Sequence, residues 1–442
     1  MRALSLTLAF LVAATPGLAQ TSGERSMDEV VIRQAIDEVA DLYDEGRYAE
    51  ALGPAEDMAE AAEQALGPDH SNTLRSLDQL AVIYKALGRY AEAEPLMGRV
   101  VETQERVLGP DHPDTLISVS NLALLYWSQG RYAEAEPLYL RALEGQERAL
   151  GLEHPDTLAS VNNLGILRLN QGLYAEAEPL LDRALEGRER VLGREHPDTL
   201  ASVNNLARLY WRENRFAEAE PLMVRALDSR ERVLGPEHPD TLASVDNLAR
   251  LFSDEGRYAE AEPLYRRALD GLERALGPEH PDTLTSVNNL AILHWNQDRY
   301  AEAEVLYRRA LEGRERVLGP DHPDTLASVN NLAILSWDQG RFADAEPLLQ
   351  RAWEGRQLVL GPDHPDTLAS LDNLARLYSD QGRYAGAELL MERALKGRER
   401  VLGLEHPDTL ASITSLVRIY TGQGRYAEAE ALRDSAPDGV EP

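Results

Sequence analysis

The sequence predicts an all-α protein, a solenoid of about ten helix pairs stacked in one continuous array. The segment His112–Glu153, HPDTLISVSNLALLYWSQGRYAEAEPLYLRALEGQERALGLE, has near-copies beginning at His154, His196, His238, His280, His322, His364 and His406. Each begins 42 residues after the last, and a looser copy begins at His70. A fixed period of this size marks stacked repeats. Within each copy the apolar residues recur every three or four positions, which is the helical period. Two short amphipathic helices bury little alone, whereas a stack of pairs buries a continuous core.

The block HPDTL opens the first helix of a unit. Pro113 suits the first helical position, where its missing N–H needs no partner, and Asp114 sets a carboxylate at the positive end of the helix dipole. The nine histidines of this block are expected to cap helix starts. Leu116, Val119, Leu122, Ala123 and Tyr126 form the apolar stripe, and Gly130 ends the helix. Arg131 and Tyr132 are expected to turn the chain. The stripe of the second helix is Ala135, Leu138, Tyr139, Ala142 and Leu143, closed by Gly151. Pro137 is tolerated without cost only if that helix starts no earlier than about Ala133. Gly145, repeated as Gly187, Gly271, Gly313, Gly355 and Gly397, interrupts the second helix at about 1 kcal/mol each against alanine. Close packing on the neighbouring unit would explain it.

Met1–Ala19 lies outside the array. Arg2, an apolar run from Ala3 to Ala14 and the small residues before Gln20 read as a secretory signal peptide cleaved after Ala19. The expected destination is the bacterial periplasm. Residues 20–27 read as a polar linker, residues 28–434 as the solenoid, with pairs starting near 28, 70, 112, 154, 196, 238, 280, 322, 364 and 406, and residues 435–442 as a disordered tail. Ten corners resembling GRYAEA, from Gly46 to Gly424, give the repeat count. The last pair is cut short near Arg433. The chain contains no cysteine, so disulfides and thiol chemistry are excluded. Its net charge of −30, one more negative once Arg2 leaves, opposes binding to nucleic acid and anionic lipid. No later run is apolar enough to span a bilayer.

The pattern Leu122-Ala123, Tyr126, Gly130, Tyr132, Ala135 and Ala142 resembles the tetratricopeptide repeat (TPR). The 42-residue length and the wording NNLA…GRYAEAEPLY.RALE.RE.VLG.(D/E)HPDTL are similar to the kinesin light chain subclass, here in an exported bacterial form. The resemblance covers roughly residues 28–433. It implies a right-handed superhelix whose concave groove is lined by the first helix of each unit, and a role in binding proteins.

Three rungs recur on the face of the first helix opposite the core. The first is asparagine: Asn121, Asn163, Asn205, Asn247, Asn289, Asn331 and Asn373, often preceded by Asn162, Asn204, Asn288 or Asn330. An amide offers donors and an acceptor to an extended peptide backbone, and the resemblance implies that use; the first of each pair is expected to face the groove. The alternative is that one asparagine per unit ties neighbouring helices together. The second rung carries Arg208, Arg250, Arg376 and Arg418 among aliphatic residues such as Leu124 and Ile166. These arginines would take a carboxylate from a ligand, or else pair with Asp246 or Asp372. The third carries Trp127, Trp211, Trp295 and Trp337, either as exposed anchors for a partner or as packing over the next helix.

Catalytic chemistry is not legible. The histidines repeat once per unit, too far apart for one metal whose nitrogen ligands sit at about 2.0–2.1 Å. His294, standing where other units carry tyrosine, reads as a satisfied core histidine. The AEAE carboxylates recur everywhere rather than defining one pocket, and no phosphate loop or nucleophile motif is present. No cofactor, metal or catalytic residue is expected. The expected function is a non-enzymatic scaffold binding an extended segment of a partner protein. The alternative is an assembly protein that self-associates through its open C-terminal pair.

Overall fold

The computed structural model describes residues 27–436. The signal peptide, nearly all of the linker and the last six residues lie outside that range. Among the described residues there are twenty α-helices and no strand. We number the units from 1, at the first pair α1 (Met27–Asp44) and α2 (Tyr48–Leu66), to 10, at α19 (Pro407–Gly422) and α20 (Tyr426–Asp434). Unit 3 is α5 (Pro113–Ser128) and α6 (Tyr132–Leu150). Leu116, Val119, Leu122 and Ala123 of α5 are buried, as are Ala135, Tyr139, Ala142 and Leu143 of α6. Each core is therefore shared between the helices of a unit and those of its neighbours.

The histidines cap. The Nδ1 of His112 accepts the N–H of Asp114 at 3.2 Å, and the same contact recurs in all nine units from His70 to His406. This pairs one of the backbone donors left over at a helix start. An accepting Nδ1 leaves the ring proton of a neutral imidazole on Nε2.

Two expectations need correction. The second helix starts at Tyr132, not beyond it, so Pro137 falls in its second turn and one backbone bond is forgone. The carbonyl released is that of Ala133, an exposed residue that water can satisfy. The interrupting glycines do accept close packing, but from their own unit. A Cβ on Gly145 would lie 2.6 Å from Leu116 Cδ1, and the same leucine position approaches Gly187, Gly271, Gly313, Gly355 and Gly397. The helix pair closes on the leucine of HPDTL.

The corner residues add a second layer of order. Arg215 reaches back to Glu178 of the preceding unit and forward to Glu218 of its own, lying 4.1 Å over the ring of Tyr210. Arg131, Arg257, Arg299, Arg341, Arg383 and Arg425 repeat the backward bridge. Unit 4 has Leu173 at this corner, and there Arg168, in the tyrosine's place, pairs with both Glu136 and Glu176. The AEAE carboxylates therefore hold one unit to the next.

The array curves until it meets itself. The Nε2 of His322 lies 2.9 Å from the carbonyl oxygen of Ala86, and that of His364 lies 3.2 Å from Ser128 O, each across 236 residues of sequence. Units 7 to 10 thus rest on units 1 to 4, with the His-Pro start of the upper unit over the glycine corner of the lower. A Cβ at Gly46 would sit 2.8 Å from Pro281 Cδ, and at Gly88 2.7 Å from Pro323 Cδ. Gly130 and Gly172 are covered by Pro365 and His406 in the same way. These corners need glycine twice, for positive φ (+69° at Gly46 and Gly130) and for the close approach. Gly130→Asn separates the two causes, because Asn214 already holds the same backbone at φ 58°. It is expected to cost about 1–3 kcal/mol by overpacking, while Gly382→Asn, with open space around it, costs well under that. Urea unfolding of the two variants side by side measures the difference.

Candidate peptide groove

A cavity runs along the concave side of units 3 to 6. Four first helices wall it: α5, α7 (Pro155–Asn170), α9 (Pro197–Arg212) and α11 (Pro239–Asp254). The wall comprises Ser120, Asn121, Leu124, Asn162, Asn163, Ile166, Asn204, Asn205, Arg208 and Asn247. Each unit repeats the same helix pair in the same packing, so one rung of each first helix arrives on the same side of the stack.

The asparagines do two jobs. In three of the four pairs the first is the more buried: Asn162, Asn288 and Asn330 are 5%, 1% and 8% exposed. Their side-chain oxygens accept the amide of the second asparagine one unit on, Asn205, Asn331 and Asn373 respectively, at 3.0–3.1 Å. Asp246 takes the same place for Asn289, and Asp78 for Asn121. This ladder ties first helix to first helix. Between units 3 and 9 it breaks twice, between Ser120 and Asn163 and between Asn204 and Asn247, and both breaks lie in the cavity. There Asn163, Asn204 and Asn247 are half-buried and make no side-chain hydrogen bond to the described residues.

The arginine rung divides. Arg208 is buried on the cavity wall and donates to Asn170 Oδ1 at 2.8 Å. Arg250 lies 4.8 Å over the Trp211 ring. Arg376 and Arg418 are exposed and lie outside the cavity. Asp246 and Asp372, the alternative partners, are engaged elsewhere: Asp246 accepts from Ser286 and Asn289, and Asp372 pairs with Arg398 at 3.0 Å.

None of the four tryptophans lines the cavity. Trp211 is only 9% exposed, inside the core shared by units 5 and 6. Trp295 Nε1 donates to Asp338 at 2.7 Å and Trp337 Nε1 to Asp380 at 3.0 Å, each one unit on. Trp127 packs into the cores on both sides of α7. The ring occupies the step between units, the packing alternative. Ser253, Ser379 and Thr421 stand at the same position in other units.

A row that sequence reasoning missed comes from the second helices. Arg188, Arg314, Arg356 and Arg398 each follow the second-helix glycine, Arg230 follows Ser229 in the same place, and all are 2–6% exposed. In each, Nη1 donates to the serine of the next first helix, Ser202 for Arg188 at 2.8 Å, and to the carbonyl of its HPD aspartate. Burial lowers the pKa of Arg188, Arg230 and Arg314 from the ordinary guanidinium value. Arg188 and Arg230 also reach the cavity, as do Asp156 and Asp198. Asp156 has its pKa raised chiefly by burial, with Asp114 and Asp198 adding to it against His154. The signal in the sequence was the recurring Gly-Arg inside the second helix.

His294 is buried, 5% exposed, but neither ring nitrogen has a hydrogen-bond partner, so it is not a satisfied core histidine. Burial lowers its pKa. Among the described residues, no three metal-ligating side chains come together, and no helix is long and apolar enough to cross a membrane.

Tetratricopeptide repeat profiles match residues 38–99, 78–148, 117–169, 156–231, 204–274, 243–316, 284–357 and 327–400, with a further one over 409–435. The chain belongs to the tetratricopeptide repeat family, whose fold is a protein-interaction scaffold. Within it the chain is of the kinesin light chain-like type. It is 31% identical to a Podosopora anserina putative kinesin light chain with nearly identical TPR-like repeats, over 46% of this chain and 97% of that one, with a TM-score of 0.40. It is 22% identical to BtubC (BKLC) from P. vanneervenii, over 53% and 92%, with a TM-score of 0.42. Human IFIT1, solved as a dimer with PPP-AAAA, shares the fold at 16% identity over 92% and 94%, with a TM-score of 0.50. No curated protein sequence matches the chain.

Proposed function

We propose that the concave wall of units 3 to 6 holds an extended segment of a partner protein, and that the chain is an exported, non-enzymatic scaffold. One observation carries this reading: Asn163, Asn204 and Asn247 face the cavity where the ladder is broken, with amides not used by the protein. Amides repeated along one wall can pair with the backbone of a strand-like ligand laid across the helices. Arg208, on the same wall, sets a positive charge beside them. The tryptophans have no part in it. The acidic surface disfavours nucleic acid as the ligand, and the reading of Met1–Ala19 as a leader favours a periplasmic scaffold.

The test is a triple variant, Asn163→Ala, Asn204→Ala and Asn247→Ala, assayed with extended peptides selected on the parent from a random library. At about 1 kcal/mol per hydrogen bond, three lost bonds are expected to lower affinity about 100-fold, with the thermal midpoint almost unmoved because no ladder bond is lost. Unchanged affinity would refute the assignment. The alternative, self-association through an open last pair, has less support. Ile413, Leu416 and Val417 of α19 are already reduced to 3–5% exposure under the short α20.

A further inference from the structure

The contact by which the superhelix closes on itself is used four times and left open at both edges. Gly46, Gly88, Gly130 and Gly172 lie beneath the starts of units 7 to 10, whereas a Cβ on Gly256, Gly340, Gly382 or Gly424 would meet nothing within 4 Å. The opposite edge mirrors this. The imidazoles of His112, His154, His196 and His238 are 37–40% exposed, those of His280, His322, His364 and His406 only 1–9%. The apolar neighbours follow the same division. Val107, Val191 and Val233 are 44–50% exposed on the open edge, while Val317 and Val359, at the same position, are half-buried at the seam.

We propose that a second copy of this chain takes up the superhelix where the first ends, seating its units 2 to 6 on the corners of the first copy's units 6 to 10. The recognising surface is the edge of the coil, distinct from the peptide groove, and in this register the second copy's unit 1 also abuts unit 10. The register comes from the seam itself, in which each histidine meets the corner six units earlier. Extended past unit 10 without a gap, it sets His70, His112, His154, His196 and His238 of the second copy over Gly256, Asp298, Gly340, Gly382 and Gly424 of the first. Five open histidines meet five open corners. The remaining corner, Asn214, falls under the start of the second copy's unit 1, which has no histidine. Asp298, at φ 58°, is the one corner whose Cβ would press on an incoming proline, Pro113, and it keeps the association weak. A head-to-tail contact of this kind does not close, so the assembly is open-ended. The acidic charge opposes it, and salt screens that repulsion.

Sedimentation equilibrium of the full chain over a wide concentration range, at low and high salt, tests this. The average mass is expected to rise with concentration past that of a dimer, and sooner at high salt. Asp298→Gly is expected to move the midpoint about tenfold down in concentration, by relief of overpacking. Gly340→Asn with Gly382→Asn blocks one edge in a backbone conformation that Asn214 shows to be tolerated, and Val191→Glu with Val233→Glu blocks the other. Each double variant should associate at least tenfold more weakly, with an unchanged circular-dichroism melt, and an equimolar mixture of the two should stop at a dimer. The valine pair, on exposed positions, suffices should the glycine pair fail to fold. A single-chain mass at every concentration, or association indifferent to both double variants, would overturn the proposal. Association abolished only by Leu432→Glu on α20 would do so as well, assigning the contact to the end of the stack.

Discussion

Arg398→Leu is expected to destabilise units 9 and 10 by about 3–5 kcal/mol, the usual cost of breaking a buried ion pair from one side. Arg398 and Asp372 have side chains 7% and 11% exposed and pair at 3.0 Å. The same guanidinium also donates to Asp408 O at 3.0 Å and to Ser412 Oγ. With leucine there, the carboxylate of Asp372 stays buried without its counter-charge. Stability in a solenoid is a sum of unit and neighbour terms, so the loss falls locally. Hydrogen exchange should rise first in α19 and α20, and urea unfolding should show an early C-terminal phase. The double variant Arg398→Leu with Asp372→Asn is expected to recover most of the loss, because it removes the stranded charge. Equal stability of Arg398→Leu and parent would contradict the account of the buried arginine row.

Unit 6 presents the opposite case. Its aspartate, Asp246, is 8% exposed, and Leu272 stands where unit 9 has Arg398. Burial pushes the Asp246 carboxyl up to about 6, although hydrogen bonds from Asn289 and Ser286 and the charge of Arg250 pull it down. A carboxyl pKa higher in the folded chain than in the unfolded one means that the folded state holds the proton more tightly. The resulting stabilisation is complete below the ordinary value of 3.8 and is lost as pH rises through about 6. A shift of about two units corresponds to roughly 3 kcal/mol. Asp246→Asn, which can accept from Asn289 as Asn162 accepts from Asn205, should therefore match the parent near pH 4. Above about pH 7 it should exceed the parent by up to about 3 kcal/mol. Urea unfolding across that range reads this out, and a variant no more stable than the parent at the alkaline end would count against a buried, charged Asp246.

How much of this was written in the sequence depends on how far apart the interacting residues lie. The helix pairs, the histidine caps and the core stripes were legible because Leu116 and Leu122, or His112 and Asp114, belong to one helix. Relations between units were harder. A helical wheel puts Trp295 opposite the core, yet its partner Asp338 comes from the next unit, so the ring is a packing step and not an anchor. The two asparagines of a pair look interchangeable until the neighbouring helix shows one accepting and the other donating. The seam was invisible altogether. Nothing distinguishes His154, left open, from His322, laid on Ala86, because their local sequences agree and only the accumulated curvature of about six units separates them.

The central claim is that the inner wall of units 3 to 6 is a docking surface for an extended chain, and position-specific photo-crosslinking tests it most directly. A photoreactive amino acid at Ala201 or Ala243, on the cavity wall, is to be compared with one at the exposed Ala175 or Ala217 of the second helices. A library-selected peptide ligand carrying a label serves as the probe. The account predicts labelled adducts from Ala201 and Ala243 and none from Ala175 or Ala217. Adducts from the outer positions, with none from the inner wall, would contradict it.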